Sequence, residues 1–399
     1  MQRKLIFIII IIILITSTGC WGKRELNELS VVSATGVDLE PDGSIRITVI
    51  SIMPVGAAGP AGLQRSNAWI GTATGKNIAS ASKNLGKIAT KRLAWFHNRI
   101  ILIGEDLAKK GVGDVMDYIA RNREFRYENS ILVTKGRATD MLTVPADIEK
   151  HLVTEIDGII ENIKQEWPRS YIDNFKGFLM ALSEKNKGHI TGILDYYETS
   201  QNTFSTNRED FKKMDLNNTK LGIAYIEGSA VFKEDKLVGW LDGQETRGYI
   251  LLTEGLRAGV ITTDYKDRNG KISLELLRSK SSIKAQPKEN KITMNIKLEI
   301  KGSFKTGSGE YDILKEADIE EMERIFAKEI ESQVSRTVKK AQKELNTDFL
   351  GFGEHIFRNH PGTWRKISDR WDAIFPEIDV NYDVKVRILR TGMISEPIY

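Results

Sequence analysis

The chain has 399 residues, of which 41% are hydrophobic and 28% are charged. This composition is typical of a globular protein with enough apolar residues for two or three cores, and it excludes a disordered chain. The formal net charge is +4, and it falls to +2 without Arg3 and Lys4 of the N-terminal segment. Such a small charge gives no electrostatic reason to expect a nucleic-acid partner, so none is predicted.

The first 20 residues have the three parts of an export signal. Arg3 and Lys4 precede an apolar run over 5–15, and small residues lead from there to Cys20. As a helix, this run of 11 residues would span roughly 17 Å, against about 30 Å of hydrocarbon in a bilayer. It is too short for a comfortable transmembrane helix, and residues 1–19 are interpreted as a lipoprotein signal peptide.

Cys20 is the single cysteine of the chain, so no intramolecular disulfide can form. It directly follows the small residues Thr18 and Gly19, as in bacterial lipoproteins, although Ser17 stands where Leu is usual. We expect an S-diacylglycerol group and an N-acyl group on Cys20, because such chains hold a folded body stably on a bilayer. The alternatives are an uncleaved signal anchor and an ordinary secretory signal in which Cys20 is incidental.

Strand and helix patterns are mixed through residues 20–198, which predicts an N-terminal α+β domain. Runs rich in β-branched residues predict strands at 31–37, 45–53, 69–74, 99–103 and 130–134. Apolar residues at helical spacing predict helices at 76–91, 105–119, 147–164 and 171–184.

A polar stretch at 199–220 predicts a linker, and residues 221–399 predict a C-terminal α+β domain with room for two subdomains. Further patterns predict strands at 221–226, 230–233, 237–240, within 259–304 and at 380–389, and helices at 243–253 and 319–345. We expect the last, long amphipathic helix to pack across a sheet, and the alternative is a helix offered to a partner subunit. The predicted fold class is α+β and multi-domain, with mixed sheets packed with helices.

No residues point to catalysis or to a cofactor. Among the five histidines, His355 and His360 are five residues apart, which does not place them on one helical face, and no third ligand is near. The sequence has no nucleophile elbow, phosphate-binding loop or dinucleotide fingerprint. No catalytic, metal-binding or cofactor-binding residue is therefore predicted, and an envelope hydrolase would need a cluster that the sequence does not show.

Two local motifs have structural interpretations. Glycines on both sides of Phe352 predict a tight turn after the long helix, with Phe352 in the core. Three arginines and Glu124 within 121–126 predict structural ion pairs at a connection, and the alternative is an anion site.

Six segments in order along the chain carry a family resemblance: Cys20-Trp21, 24–26, 34–38, 101–111, 121–126 and 351–353. They resemble the Ger(x)C spore germination lipoproteins. The resemblance implies a non-enzymatic C subunit of a germinant receptor, without a cofactor, on the outer surface of the spore inner membrane. It also implies integral-membrane A and B subunits as partners, and it carries over Cys20 alone as a functional residue.

A different class of function also fits the anchor. An extracytoplasmic solute-binding lipoprotein of a transporter would be tethered in the same way, but it would normally have two α/β lobes around a cleft. The antiparallel pattern of the second half of the chain favours the receptor subunit over this alternative.

Overall fold

The computed structural model describes residues 28–52, 68–166, 168–184, 186–198, 222–256, 258–265, 270–288, 291–307 and 315–390. Cys20 and the predicted linker at 199–220 lie outside these ranges. Within them, the strands form one nine-stranded and one four-stranded sheet, both packed with helices. The predicted α+β class with mixed sheets is confirmed.

The nine-stranded sheet, called the first sheet, has the order β3-β2-β1-β5-β6-β7-β8-β9, with β4 beside β1. Parallel pairing joins β1, β5, β6 and β7, whereas β2, β3, β8 and β9 pair antiparallel. The strands are β1 Leu29–Leu39, β2 Ile45–Ile52, β3 Ala68–Gly75, β4 Arg92–Ala94, β5 Ile100–Gly104, β6 Ser130–Thr134, β7 Gly188–Glu198, β8 Gly222–Lys233 and β9 Lys236–Leu241.

Helices cover both faces of the first sheet. Apolar residues of β5 alternate between the two layers, since Ile101 packs with one set of helices and Leu102 with the other. The first layer consists of α1 Ile78–Ile88, α2 Glu105–Lys110, α3 Gly113–Arg121 and α6 Phe175–Ser183, and the second of α4 Ala138–Leu142 and α5 Leu152–Gln165. Burial on both faces explains why β5 and β6 are apolar at nearly every position.

The four-stranded sheet, called the second sheet, has the order β10-β11-β12-β13. Its strands are β10 Val260–Tyr265, β11 Gly270–Lys288, β12 Lys291–Gly307 and β13 Asp379–Arg390, and only β12 and β13 pair parallel. The helices of this half are α7 Gly243–Thr253, α8 Glu316–Lys339, α9 Phe352–Asn359, α10 Pro361–Ile367 and α11 Trp371–Ile374.

Helix α8 is the predicted long amphipathic helix, and it packs across the second sheet. Met322, Phe326 and Ile330 on its apolar face are fully buried in one core with residues of β11 and β12. The helix continues into a π-helical turn over Lys340–Glu344. The prediction that this helix packs on a sheet is confirmed.

The first sheet includes strands from both sides of the predicted linker. Strand β8 pairs antiparallel with β7 from Gly188↔Lys233 to Glu198↔Gly222, and β9 follows at the edge. Residues 222–241 therefore complete the first sheet rather than begin a separate core. A polar composition marks an exposed connection, but it does not say which sheet the next strand joins.

The predicted single helix at 105–119 is two helices in the structure. Gly111 has φ 133°, which an L side chain rarely adopts, and α2 ends there. The amide of Val112 then donates to the carbonyl oxygen of Asp235 at 2.9 Å. This contact with the β8–β9 turn redirects the chain before α3 begins.

Candidate functional site

Cys20, the one functional residue that the sequence predicts, lies outside the described residues. The lipid site itself is therefore a prediction. None of the helices within the described ranges combines the length and the apolar character needed to cross a membrane.

A cleft of about 690 Å³ lies where the helices of the second half meet the first sheet. Its walls come from the end of α7, the middle of β11 and the start of α9, and Lys187 closes it from the side of β7. Among the residues that line it are Tyr171, Lys187, Tyr249, Ser279, Glu354 and His355.

Helix α7 is fixed at both ends, which positions the wall of the cleft that it forms. At its start, Asp242 and Glu245 form a capping box in which each side chain accepts the other residue's backbone N–H. After its end, Gly255 has φ 75°, and the amide of Leu256 donates to Oγ of Ser279 on β11. The amide of Ser279 donates back to the carbonyl oxygen of Leu256 at 2.8 Å. The chain after α7 is thereby held against the second sheet.

Asp348 holds the wall formed by α9 in place from inside the core. Its carboxylate accepts hydrogen bonds from the amides of Phe352 at 2.9 Å and Gly353 at 2.7 Å, and from Nε1 of Trp371 at 3.2 Å. Burial raises its pKa from the ordinary 3.8 to about 6. The carboxylate thus caps α9 and connects it to α11.

The motif at 351–353 behaves as predicted. Gly351 lies in the left-handed region with φ 76°, directly before α9, and Phe352 is fully buried. Gly353 has no space for a side chain, because a Cβ there would lie 2.7 Å from the ring of Trp364. The turn and the core position of Phe352 are confirmed.

Lys187 and Gly188 attach the start of β7 to the wall formed by α9. Nζ of Lys187 lies 2.9 Å from Glu184 and 2.8 Å from Glu354 of α9. Burial lowers the pKa of Lys187, but the hydrogen bonds to the two carboxylates outweigh it and leave that pKa raised. The amide of Gly188 donates to the carbonyl oxygen of Asp348 at 3.1 Å. We call these contacts and the Asp348 cap the joint between the sheets.

Two ionic groups of the cleft, Lys187 and Glu354, pair with one another. Glu354 pairs with Lys187 and also with Arg358, and the hydrogen bond from Lys187 holds the pKa of Glu354 below its ordinary value. The rings of Tyr171 and Tyr249 meet edge-on at 5.3 Å, and burial raises the pKa of both phenols. Within the described ranges, no group of three metal-ligating side chains comes together. The geometry is that of a structural joint with a polar recess.

The other residues singled out in the sequence have structural partners. Arg121 pairs with Asp117 at 2.7 Å, and Glu124 pairs with Arg92 at 2.6 Å, so the predicted ion pairs are confirmed for these two residues. His355 lines the cleft, while His360 contacts the carbonyl oxygen of Ala285 at 3.1 Å. The sequence did not single out Lys187, because its partner Glu354 is 167 positions away. It did not single out Asp348 either.

Two family models match consecutive parts of the chain. The model described as "Spore germination protein N-terminal domain" matches residues 22–198. The model described as "Spore germination B3/ GerAC like, C-terminal" matches residues 227–392. Together they span nearly all of the sequence after the predicted signal peptide.

Curated relatives align with the chain from end to end. Spore germination protein KC of Bacillus subtilis (strain 168) is 26% identical, with 100% of this chain and 98% of that protein covered. Spore germination protein B3 of the same organism is 25% identical, with 98% of each covered. Spore germination protein GerQC of Bacillus cereus is 20% identical, with 98% of this chain and 99% of that protein covered. None of these names is that of an enzyme.

A solved structure has the same fold. The crystal structure of the GerBC protein superimposes with a TM-score of 0.53 at 21% sequence identity. The match covers 89% of this chain and 96% of that one. The arrangement of two sheets with their helices is therefore shared over most of both molecules.

Proposed function

The chain belongs to the Ger(x)C family of spore germination proteins, and on this premise we propose that it is the non-enzymatic C subunit of a germinant receptor. The observation that carries the proposal is the match of both family models, in order, across the whole folded body. In this role the protein acts with integral-membrane A and B subunits to trigger germination in response to nutrients.

The proposed anchor is the acylated Cys20, on the extracytoplasmic face of the spore inner membrane. Strand β1 begins at Leu29, so eight residues separate Cys20 from the first sheet. A chain of that length reaches at most about 30 Å, which keeps the folded body close to the bilayer surface. Confinement to one surface raises the effective concentration of membrane partners, so modest contacts with the A and B subunits suffice.

The anchor and the receptor role are tested together by the substitution Cys20→Ala in the native host. We expect the variant to lose its acyl groups, to leave the membrane fraction, and to slow germination measured as loss of optical density of spores given nutrients. Ser17→Leu is the matched control, because it keeps Cys20 and introduces the residue usual at that position of lipoprotein signals.

The control is expected to keep both membrane attachment and germination. Attachment that persists in Cys20→Ala spores would refute the lipid anchor. Normal germination by spores whose protein has left the membrane would refute the receptor role.

A further inference from the structure

The two faces of the second sheet differ in what covers them. On the inner face, residues such as Met294, Leu298 and Val386 are buried in the core beneath α8. The alternate residues of β11, β12 and β13 point away from α8, and their charged side chains are exposed. We call the part of this outer surface formed by 278–288, 291–301 and 379–387 the basic face. Its cations are Arg278, Lys280, Lys284, Lys288, Lys291, Lys297, Lys301, Lys385 and Arg387, and its carboxylates are Glu299, Asp379 and Asp383.

The basic face carries an excess of six positive charges, although the whole chain has a formal net charge of only +4. Two of its cations pair with carboxylates: Lys291 pairs with Asp379, and Lys297 lies 2.7 Å from Glu299. The lysines around Glu299 also lower the pKa of that carboxyl. The positive charge of the molecule is thus concentrated on one side of one sheet.

One row across the basic face consists of cations alone. Arg278 lies opposite Lys301, and Lys301 lies opposite Arg387 on the next strand. Neighbouring strands are about 4.8 Å apart, and like charges directly opposite one another destabilise a sheet. None of the three forms an ion pair with another side chain of the described ranges. Repulsion within this row of cations destabilises the second sheet. Negative charge on another molecule would relieve that repulsion, so the row indicates a surface that binds an anionic partner.

The composition of the basic face favours lipid over protein as the source of that negative charge. Protein interfaces have an apolar centre and are depleted in lysine. The outward positions of the basic face carry seven lysines and two arginines, and the large apolar residues of 278–288, 291–301 and 379–387 lie on the inner side, while Leu389 is exposed beyond the end of the face. The face extends over roughly 35 Å along β11, so many cations can meet headgroups at once. Anionic leaflets attract such lysine clusters at their surface.

We propose that the basic face binds the headgroups of an anionic bilayer, so that the second sheet lies against the membrane. The inference deepens the proposed function, because it names the surface with which the tethered body meets the bilayer. The bound state is electrostatic, since Lys and Arg side chains contact phosphate groups without inserting apolar residues.

Sedimentation with lipid vesicles tests the proposal without the anchor. For this assay the protein is produced from residue 20 onward with the substitution Cys20→Ser. It keeps every described strand and helix, because the first of them starts at Leu29. We expect this protein to sediment with vesicles that contain phosphatidylglycerol and not with vesicles of pure phosphatidylcholine. Binding is expected at about 0.1 M salt and not at about 1 M salt, where the screening length is only a few ångströms.

The triple variant Arg278→Thr, Lys301→Thr and Arg387→Thr removes the row of cations and keeps side chains that suit a strand. We expect it to bind the anionic vesicles on the order of 100-fold more weakly. The matched control, Lys83→Gln, Lys87→Gln and Lys110→Gln, removes the same charge from exposed positions on α1 and α2. It is expected to bind like the parent protein. The single reversal Lys301→Glu replaces the triple variant if that variant unfolds.

Equal losses in the two triple variants would overturn the proposal, because net charge alone would then explain binding. Failure of the parent protein to bind anionic vesicles would overturn it as well. The proposal would also be overturned if the triple variant without the row of cations bound vesicles normally but lost a protein partner in spores. The basic face would then bind a protein. The assay uses neither acyl groups nor partner subunits, so its failure leaves the receptor role intact, and failure of the Cys20→Ala test leaves this result intact.

Discussion

The two sheets of this protein bury their strands in different ways. Strand β5 has five consecutive buried residues, because helices lie on both faces of the first sheet. Strand β12 alternates between buried apolar residues and exposed polar ones, because only α8 and its neighbours cover the second sheet. A continuous apolar run therefore marks a strand covered twice, and an alternating run marks a strand covered once. The first sheet is covered by helices on both faces, while one face of the second sheet has exposed charged side chains.

The largest expected effect comes from the sheet that is covered twice. Leu102→Ala should lower the free energy of unfolding by about 2–5 kcal/mol, because Leu102 is fully buried in β5 and the shortened side chain leaves a cavity. Lys284→Thr on the basic face should change it by less than about 0.5 kcal/mol. Urea unfolding followed by circular dichroism compares the two. Similar losses at both positions would break the distinction between the sheets.

The joint between the sheets gives a prediction that depends on pH. The pKa of Asp348 is about 6 in the folded protein and ordinarily 3.8, so between these pH values the folded state holds a proton that the unfolded state has released. Stability from this group is therefore full below about pH 4 and is lost as the pH rises through 6. Asp348→Asn removes the titration, so its cost should shrink by up to about 3 kcal/mol over that range. A cost that is constant from pH 4 to 7 would contradict the burial of this carboxyl.

Two glycine substitutions should shift stability in opposite directions. A Cβ on Gly188 would lie 2.3 Å from Cγ2 of Thr347 in the joint, so Gly188→Ala should cost about 1–3 kcal/mol. A Cβ on Gly158 of α5 would meet nothing within 4 Å, so Gly158→Ala should add up to about 1 kcal/mol through helix propensity. Thermal unfolding of the two variants measures both signs. A stable Gly188→Ala protein would show that the sheets are not tightly joined.

The smallest effect concerns the row of cations on the second sheet. Lys301→Thr should raise the free energy of unfolding by a few tenths of a kcal/mol, because it removes the repulsion from Arg278 and Arg387. The gain should disappear in high salt, which screens exposed charges. Denaturant titration at low and high salt measures it. A loss of stability at low salt would mean that Lys301 has a stabilising partner.

Much of the fold follows from local patterns in the sequence. Strand β6 and helix α7 have the bounds that the sequence predicts, since both are short elements limited by turn or capping residues. The amphipathic pattern of α8 also predicts how that helix packs. The resemblance to the Ger(x)C family rests on segments spread over the whole chain, and the family matches confirm it.

The features that the sequence did not predict depend on distant partners. Strand β7 contains Gly188 and Gly192 and is a strand because β6 and β8 pair with it. Asp348 is an ordinary carboxylate in the sequence and is buried only when α9 and α11 close over it. The alternation of β12 predicted one wet face, but the row across β11, β12 and β13 depends on the pairing register, which no single segment contains.

Isolation of the native protein from spore membranes tests the central claim most directly. Mass spectrometry of the N-terminal peptide should show a chain that begins at Cys20 and carries three acyl chains, and two integral-membrane proteins should be isolated with it in mild detergent. A chain without acyl groups that is purified free of any membrane protein would contradict the assignment as a tethered receptor subunit.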